Sequence, residues 1–368
     1  LPGLTIEGHV PVGDAIYNVL VKKQYVRASR NVVDTQWQDA ALSASLSYFD
    51  TLEAKARVGI EREMEGISAK YQRELHEAVA VGIAFKGLEL IVQTETVRYG
   101  IAVRLWLQHQ RDASAKLSYV LDMDAAVELV PEDADLMPIM LYDVQTPLES
   151  LMQQAYSTRP ELKEMQDLIA AARADRNGAI YGPIIPTLST NMFFGSLESG
   201  WERFYGENSV SEIEHQGQPM WHQYPAGTNQ GGTNDILFGV NWRIGPGGLG
   251  DIGKIRQTNA RLETAQLRWK KMLDDVNRQV VQNHTRIRSY YDQVKMARAN
   301  VKTAREVLRL VTGRQEFGID RVLEVIKAEQ GLEQAYNDYV IALAEFNKSQ
   351  YKLSRAVGGL LPLNSRWR

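Results

Sequence analysis

The candidate chemistry-bearing features of this chain are histidines, carboxylates and glycine loops, and it contains no cysteine. That removes disulfides, thiolate metal sites and cysteine nucleophiles together. The histidines are His9, His76, His109, His215, His222 and His284. A metal site asks for ligands fixed on one face, as two histidines four apart on a helix are, and no pair has that spacing. Only His215 and His222 share a segment, beside Glu212 and Glu214, and a solvated acidic loop is the simpler reading. Gly245, Gly247, Gly248 and Gly250 would suit a phosphate cradle, but no Gly-Lys-Ser/Thr follows. They fit a bend between a tilted strand and a steep helix, where glycine and proline absorb unusual backbone angles. No nucleophile, base and orienting group fall into a catalytic pattern. The expectation is a non-enzyme with no metal and no cofactor.

The bulk numbers narrow the class. The chain has 368 residues, 44% of them hydrophobic, which is ample for a core, and a net charge of −3 with no basic tail. Nucleic acid is therefore not an expected partner. No run reaches the ~18 apolar residues of a membrane-spanning helix, so any membrane contact must come through an amphipathic surface or a β-barrel. The sequence opens Leu1-Pro2-Gly3, without a Met, a charged stretch or an apolar stretch, which reads as a processed or partial chain.

The chain repeats itself. Tyr48-Phe49-Asp50 returns as Tyr290-Tyr291-Asp292, Leu88-Glu89-Leu90-Ile91 as Leu323-Glu324-Val325-Ile326, and Lys116-Leu117-Ser118 as Lys352-Leu353-Ser354. Each copy is a long helical hairpin preceded by an alternating stretch. From Asp14 to Ala80 there is no proline, and a helix of that span is roughly 100 Å long at ~1.5 Å per residue. In the second copy Val280, Ile287, Tyr290, Val294, Ala304 and Leu308 hold coiled-coil spacing, and Val276 precedes them across a stutter that locally unwinds the supercoil. The returning helix does the same from Val322 and Val325 through Leu332, Tyr336, Leu343 and Phe346 to Leu353 and Val357. Glu329 and Gln350 intrude as polar seam residues and are expected to fix register. The reversals span Val81 to Leu90 and Gly313 to Val325.

Three strands alternate. Leu4, Ile6, Val10 and Val12 share one face near 4–12, and Leu188, Met192 and Phe194 do so at 187–195. At 235–245, Ile236, Phe238, Val240, Trp242 and Ile244 point one way and Asp235, Gly239, Asn241 and Arg243 the other. One face suits hydrocarbon and the other water, and about ten tilted residues cross a bilayer. Between the copies, 122–147 reads as a proline-punctuated linker. Thr158 and Glu161 fit a capping box for a following helix, which Pro183 and Pro186 end. A glycine- and aromatic-rich loop runs from about Trp201 to Gly232.

In these features the chain resembles the TolC-like outer-membrane efflux protein family. The likeness rests on Arg159-Pro160-Glu161-Leu162, on the strand ending Trp242-Arg243-Ile244-Gly245-Pro246-Gly247-Gly248, and on Gly318 through Leu323-Glu324-Val325 to Leu353-Ser354-Arg355-Ala356-Val357-Gly358. It implies a mainly α fold with membrane β, in which the repeated strand–helix–helix unit builds a trimeric β-barrel continued by an α-helical coiled-coil tunnel. The expected divisions are a barrel strand at 1–13, a first helical hairpin at 14–121, an equatorial region and helix at 122–181, two barrel strands with an extracellular loop near 197–233 at 182–246, a second hairpin at 247–358 and a tail at 359–368. The family pattern has four strands per protomer where three are legible here. Nine strands would leave one parallel pair, so an upstream strand with its helices is expected.

The resemblance further implies a passive exit duct at the bacterial outer membrane with a periplasmic extension. It would be a homotrimer working with a periplasmic adaptor protein and an inner-membrane pump, in contact with outer-membrane lipid. It places the adaptor-docking tips at Gly82, Ile83, Gly318 and Ile319. It puts a constricting carboxylate ring at Glu324, with Glu89 as its first-repeat counterpart. Lys327 stands where a second acidic ring is expected and Asp320 where a basic latch residue is, beside Arg321. An i,i+3 pair from Lys327 could neutralise Glu324. The rival reading is a soluble coiled-coil scaffold or periplasmic adaptor, against which the lipid-suited strands argue.

Overall fold

The computed structural model describes residues 4–124, 126–133, 135–196, 232–246, 248–313 and 319–359. The elements run β1 (Leu4–Pro11), α1 (Val12–Ala80), α2 (Lys86–Val120), α3 (Leu148–Thr158), α4 (Pro160–Tyr181), a 3-10 turn (Gly182–Ile184), β2 (Thr187–Ser196), β3 (Gly232–Asn241), α5 (Ile252–Thr312) and α6 (Ile319–Ala356). The long helices are 69 and 61 residues, as an unbroken, proline-free pattern demands. The chain divides into two compact units, residues 1–28 with 165–269 and residues 29–164 with 270–368.

The first unit holds the sheet. β2 lies centrally and pairs antiparallel with both β1 and β3. Leu4, Ile6 and Val10 of β1 stand opposite Phe194, Met192 and Leu188 of β2. Val240 and Ile236 of β3 stand opposite the same Leu188 and Met192, and Phe238 opposite Thr190. Strand alternation therefore collects these apolar residues of all three strands on one face, while Leu237 and Phe193 take register positions on the other. Among the described residues, neither β1 nor β3 has a partner on its outer edge. At the root of the sheet, a Cβ on Gly13 would meet the Gly182 carbonyl oxygen at 2.2 Å, so only glycine lets α1 start this close to the 3-10 turn.

The strand limits differ slightly from those read in the sequence. β1 ends at Pro11, β2 extends to Ser196, and β3 begins at Gly232 but stops at Asn241. Trp242 and Ile244 thus lie beyond β3. The chain turns at Gly245-Pro246, where Leu249 N–H donates to the Arg243 carbonyl at 2.8 Å and Ile244 bridges Leu249. The ladder ends at Asn241 because its partner Thr187 is the first residue of β2, and Pro186 before it has no N–H to donate. The loop from Trp201 to Gly231, with His215, His222, Glu212 and Glu214, lies outside the described residues, as does Gly318.

The second unit has two cores, one packed from portions of α1, α2, α5 and α6 and the other from α3, the start of α4, α5 and α6. One joins Met64, Leu75, Val92 and Tyr99 to Leu308, Val322, Val325 and Leu332; the other joins Leu151, Leu162, Val276, Val280 and Ile287 to Phe346, Leu353 and Val357. The coiled-coil stripes are the residues that meet there. The internal repeat shows in the rings: Phe49 packs on Tyr351 at 5.3 Å and its counterpart Tyr291 on Phe346 at 6.0 Å.

Candidate functional site

The sheet face is the first functional surface. Phe238 is 83% exposed, and Ile236 and Val240 are also exposed, which water does not favour for a row of large apolar side chains. Trp242 and Ile244 remain exposed on the following turn, and the Trp242 indole N–H donates to the Ile184 carbonyl at 3.1 Å. On the opposite face of the sheet Asn241 donates to Ser189 Oγ at 2.9 Å.

The first hairpin tip is five residues, 81–85, shorter than the Val81–Leu90 reversal read in the sequence. Gly82 adopts φ +79°, a left-handed conformation that glycine reaches at little cost, while Ile83 and Ala84 N–H groups both donate back to the Ala78 carbonyl. Val81, Ile83 and Phe85 are left exposed at the end of the hairpin. Glu89 lies in the first turn of α2. Its buried carboxylate accepts from Lys86 Nζ at 2.6 Å and approaches His76 Nδ1 at 3.0 Å, and these partners hold it below the usual carboxylate range. Glu89 is thus an intramolecular pairing residue in this structure.

At the second tip, Ile319 and Asp320 open α6. Glu324 is exposed, and its carboxylate accepts from the Arg321 guanidinium at 2.7 Å. The expected pairing with Lys327 does not form. The Arg321 guanidinium, one turn before Glu324, takes the carboxylate instead. Lys327 is exposed and makes no ion pair among the described residues. Val322, Val325 and Ile326 on the opposite side of the helix are buried in the core, which fixes the outward side of Glu324 and Lys327.

Two charge clusters in the second unit were not legible as such. Thr158 does not cap α4: its hydroxyl donates to Gln154 O at 2.7 Å and lies 2.5 Å from Val357 O, because Thr158 is the last residue of α3. Glu161 is drawn instead into a buried clasp, accepting from Arg159 at 2.8 Å and Arg355 at 2.5 Å, while Arg355 also reaches Asp39 at 2.7 Å. Burial alone would raise the Glu161 carboxyl, but the two guanidinium groups overcome it and hold it at about 2. Farther along α6, Lys348 binds Asp50 at 2.8 Å, Glu53 at 2.9 Å and Glu345 at 3.2 Å. Gln350, expected to set coiled-coil register, accepts from Leu141 and Tyr142 N–H and donates to Tyr142 O, so it anchors the segment at 141–142. Asn347 does the same for Met137 and Ile139. The paired signal, a polar residue on an otherwise apolar seam, was visible; its partner was not.

Residues 151–359, more than half of the chain, match the family model described as outer membrane efflux protein. The chain belongs to that family. It is therefore an outer-membrane channel of the efflux class that extends into the periplasm, in a family of channel proteins and not of enzymes. The family also leaves no place for the soluble-scaffold reading. Among solved structures, a membrane protein from Pseudomonas aeruginosa is similar at 17% identity and a TM-score of 0.75, over 97% of this chain and 76% of that one. The outer membrane protein VceC from Vibrio cholerae is similar at 14% identity and 0.73, over 97% and 79%. The CmeC outer membrane channel of Campylobacter jejuni is similar at 13% identity and 0.74, over 99% and 72%. No curated protein sequence matches the chain.

Proposed function

We propose that the protein is a passive trimeric exit duct that carries substrates across the periplasm and outer membrane in a tripartite efflux or type I secretion system. The observation that carries this reading is one sheet, apolar on one face, that runs directly into a 69-residue helix from β1 and, through the turn after Asn241, into a 61-residue helix from β3. An open sheet edge is not tolerated in lipid, so closure must come from symmetric copies, each adding its strands to one barrel. The apolar face then meets lipid and the helices continue as the tunnel. Energy comes from an inner-membrane pump through a periplasmic adaptor, which docks at the tips around Gly82, Ile83, Gly318 and Ile319. Glu324 lines the periplasmic constriction, with Arg321, Asp320, Lys327 and Glu89 tuning its charge.

The test is purification of full-length protein from outer-membrane fractions, followed by light scattering and planar-bilayer recording. A particle of three copies with stable conductance is the expected result. A detergent-independent monomer without conductance would overturn the duct reading.

A further inference from the structure

Within the second unit, α1, α5 and α6 border a cleft of about 970 Å³, completed by Leu107 and Gln110 of α2 and by Asp135 and Leu136. This volume suits a drug-sized molecule. The wall is apolar, formed by Leu52, Ile60, Val301, Val340 and Leu343, with Tyr336 and Tyr339 adding aromatic surface. Its charged lining is unbalanced: Lys55, Arg62, Arg298, Lys302 and Arg305 against Glu63 and Asp135. In a chain of net charge −3, that is a local reversal of sign.

The cations are not all spoken for. Lys55 donates to the Pro131 and Asp133 carbonyls, and Arg305 donates to the Tyr336 hydroxyl, which itself contacts Glu63 at 3.1 Å. Arg62, Arg298 and Lys302 have no hydrogen bond or ion pair among the described residues. Arg298, Lys302 and Arg305 follow i, i+4, i+7 spacing and share one face of α5; Lys55 and Arg62, seven apart, share one face of α1. Two like-charged helix faces thus border one apolar cleft, an arrangement that an anion would relieve.

We infer that this cleft binds a small amphipathic organic anion, an aromatic or aliphatic body bearing one carboxylate, sulfonate or phosphate group. The body lies against the apolar wall, and the anionic group sits among Arg62, Arg298 and Lys302. An inorganic anion would leave the wall unused, and a free metal cation would be repelled. That such an anion is cargo rests on the efflux reading; that it binds here does not.

The test uses the full chain reconstituted in zwitterionic nanodiscs, with empty nanodiscs as the blank. Two fluorescent probes share one ring body: 1-anilinonaphthalene-8-sulfonate, which is anionic, and N-phenyl-1-naphthylamine, which is uncharged. The sulfonate should bind saturably and lose affinity with added salt. The double substitution Arg298→Ala with Lys302→Ala should weaken it by about tenfold, the scale of losing two partly solvated ion partners. The uncharged probe should change by less than about twofold, since its wall is intact. Lys270→Ala with Lys271→Ala, on the same helix but outside the cleft, should leave both probes unchanged. Unchanged sulfonate affinity in the cleft variant, or equal weakening of both probes, would overturn the inference. A pore that conducts but lacks selective anion binding sinks only the cleft; loss of conductance with binding retained sinks only the duct.

Discussion

Replacing Glu329 with glutamine should abolish one pH response of the helical core. Glu329 lies on α6, is 1% exposed, and neither carboxylate oxygen has a hydrogen-bond partner among the described residues. Ser68 and Tyr71 face it from α1, and Glu95, Arg98 and Tyr99 from α2. α5 adds Ala304 and Leu308 to the same core. Arg98 is held by Glu95 at 2.8 Å and Glu333 at 2.9 Å, so it is a poor counter-ion for a third carboxylate. Burial pushes the Glu329 carboxyl up from 4.5 to about 7, with Glu95 adding to the rise and Ser68 and Arg98 offsetting part of it. The sign follows directly. Below the unfolded value both states hold the proton and nothing is lost. As pH rises toward the folded value, the opened chain releases the proton first and the packed core loses stability. At 1.36 kcal/mol per unit the loss between 4.5 and about 7 totals ~3 kcal/mol, roughly 300-fold in the opening equilibrium, and then levels off. Hydrogen–deuterium exchange of peptides covering Ser68, Thr96 and Glu329, corrected for intrinsic exchange rates, reads that equilibrium. Wild type should lose protection across this window while Glu329→Gln does not. Parallel curves for the two proteins would refute the assignment of the buried charge.

Other predictions follow from the same geometry. Val240→Arg, on the apolar sheet face opposite Leu188, should cost about 2–4 kcal/mol if it lies near the bilayer midplane, whereas Asn241→Ser on the other face should cost little; the readout is folded trimer in outer-membrane fractions. Glu161→Gln should destabilise the clasp by about 3–5 kcal/mol, because buried Arg159 loses its carboxylate and Arg355 keeps only Asp39. In wild type, the stabilisation from the depressed Glu161 value is full above about 4.5 and is lost as pH falls toward about 2, so denaturant-unfolding midpoints of the two proteins should differ at neutral pH and converge in strong acid. Arg321→Gln should free Glu324 and make bilayer currents more cation-selective, Glu324→Gln less so, and Lys327→Ala should have the smaller effect because it does not hold the carboxylate. Unchanged selectivity in all three would move the constriction elsewhere.

The sequence alone determined the long helices and the two-faced strands, because both are written in local periodicity. A sustained 3,4 stripe marks a helix with one buried seam, and the recurrence of Ile236, Phe238 and Val240 at every second position marks a strand with one apolar face. What local pattern cannot carry is partnership between distant residues. Glu89 and Glu324 occupy matching places in the two repeats, yet His76 and Lys86 hold one while Arg321 holds the other. Thr158 and Glu161 have capping-box spacing, but packing of α3 and α6 sends the hydroxyl to Val357 and the carboxylate to Arg355. Gln350 breaks an apolar seam because the backbone of Leu141 and Tyr142 needs donors and acceptors there. In each case the side chain and its position were legible, while the free energy of burial made its partner a property of the assembled helices.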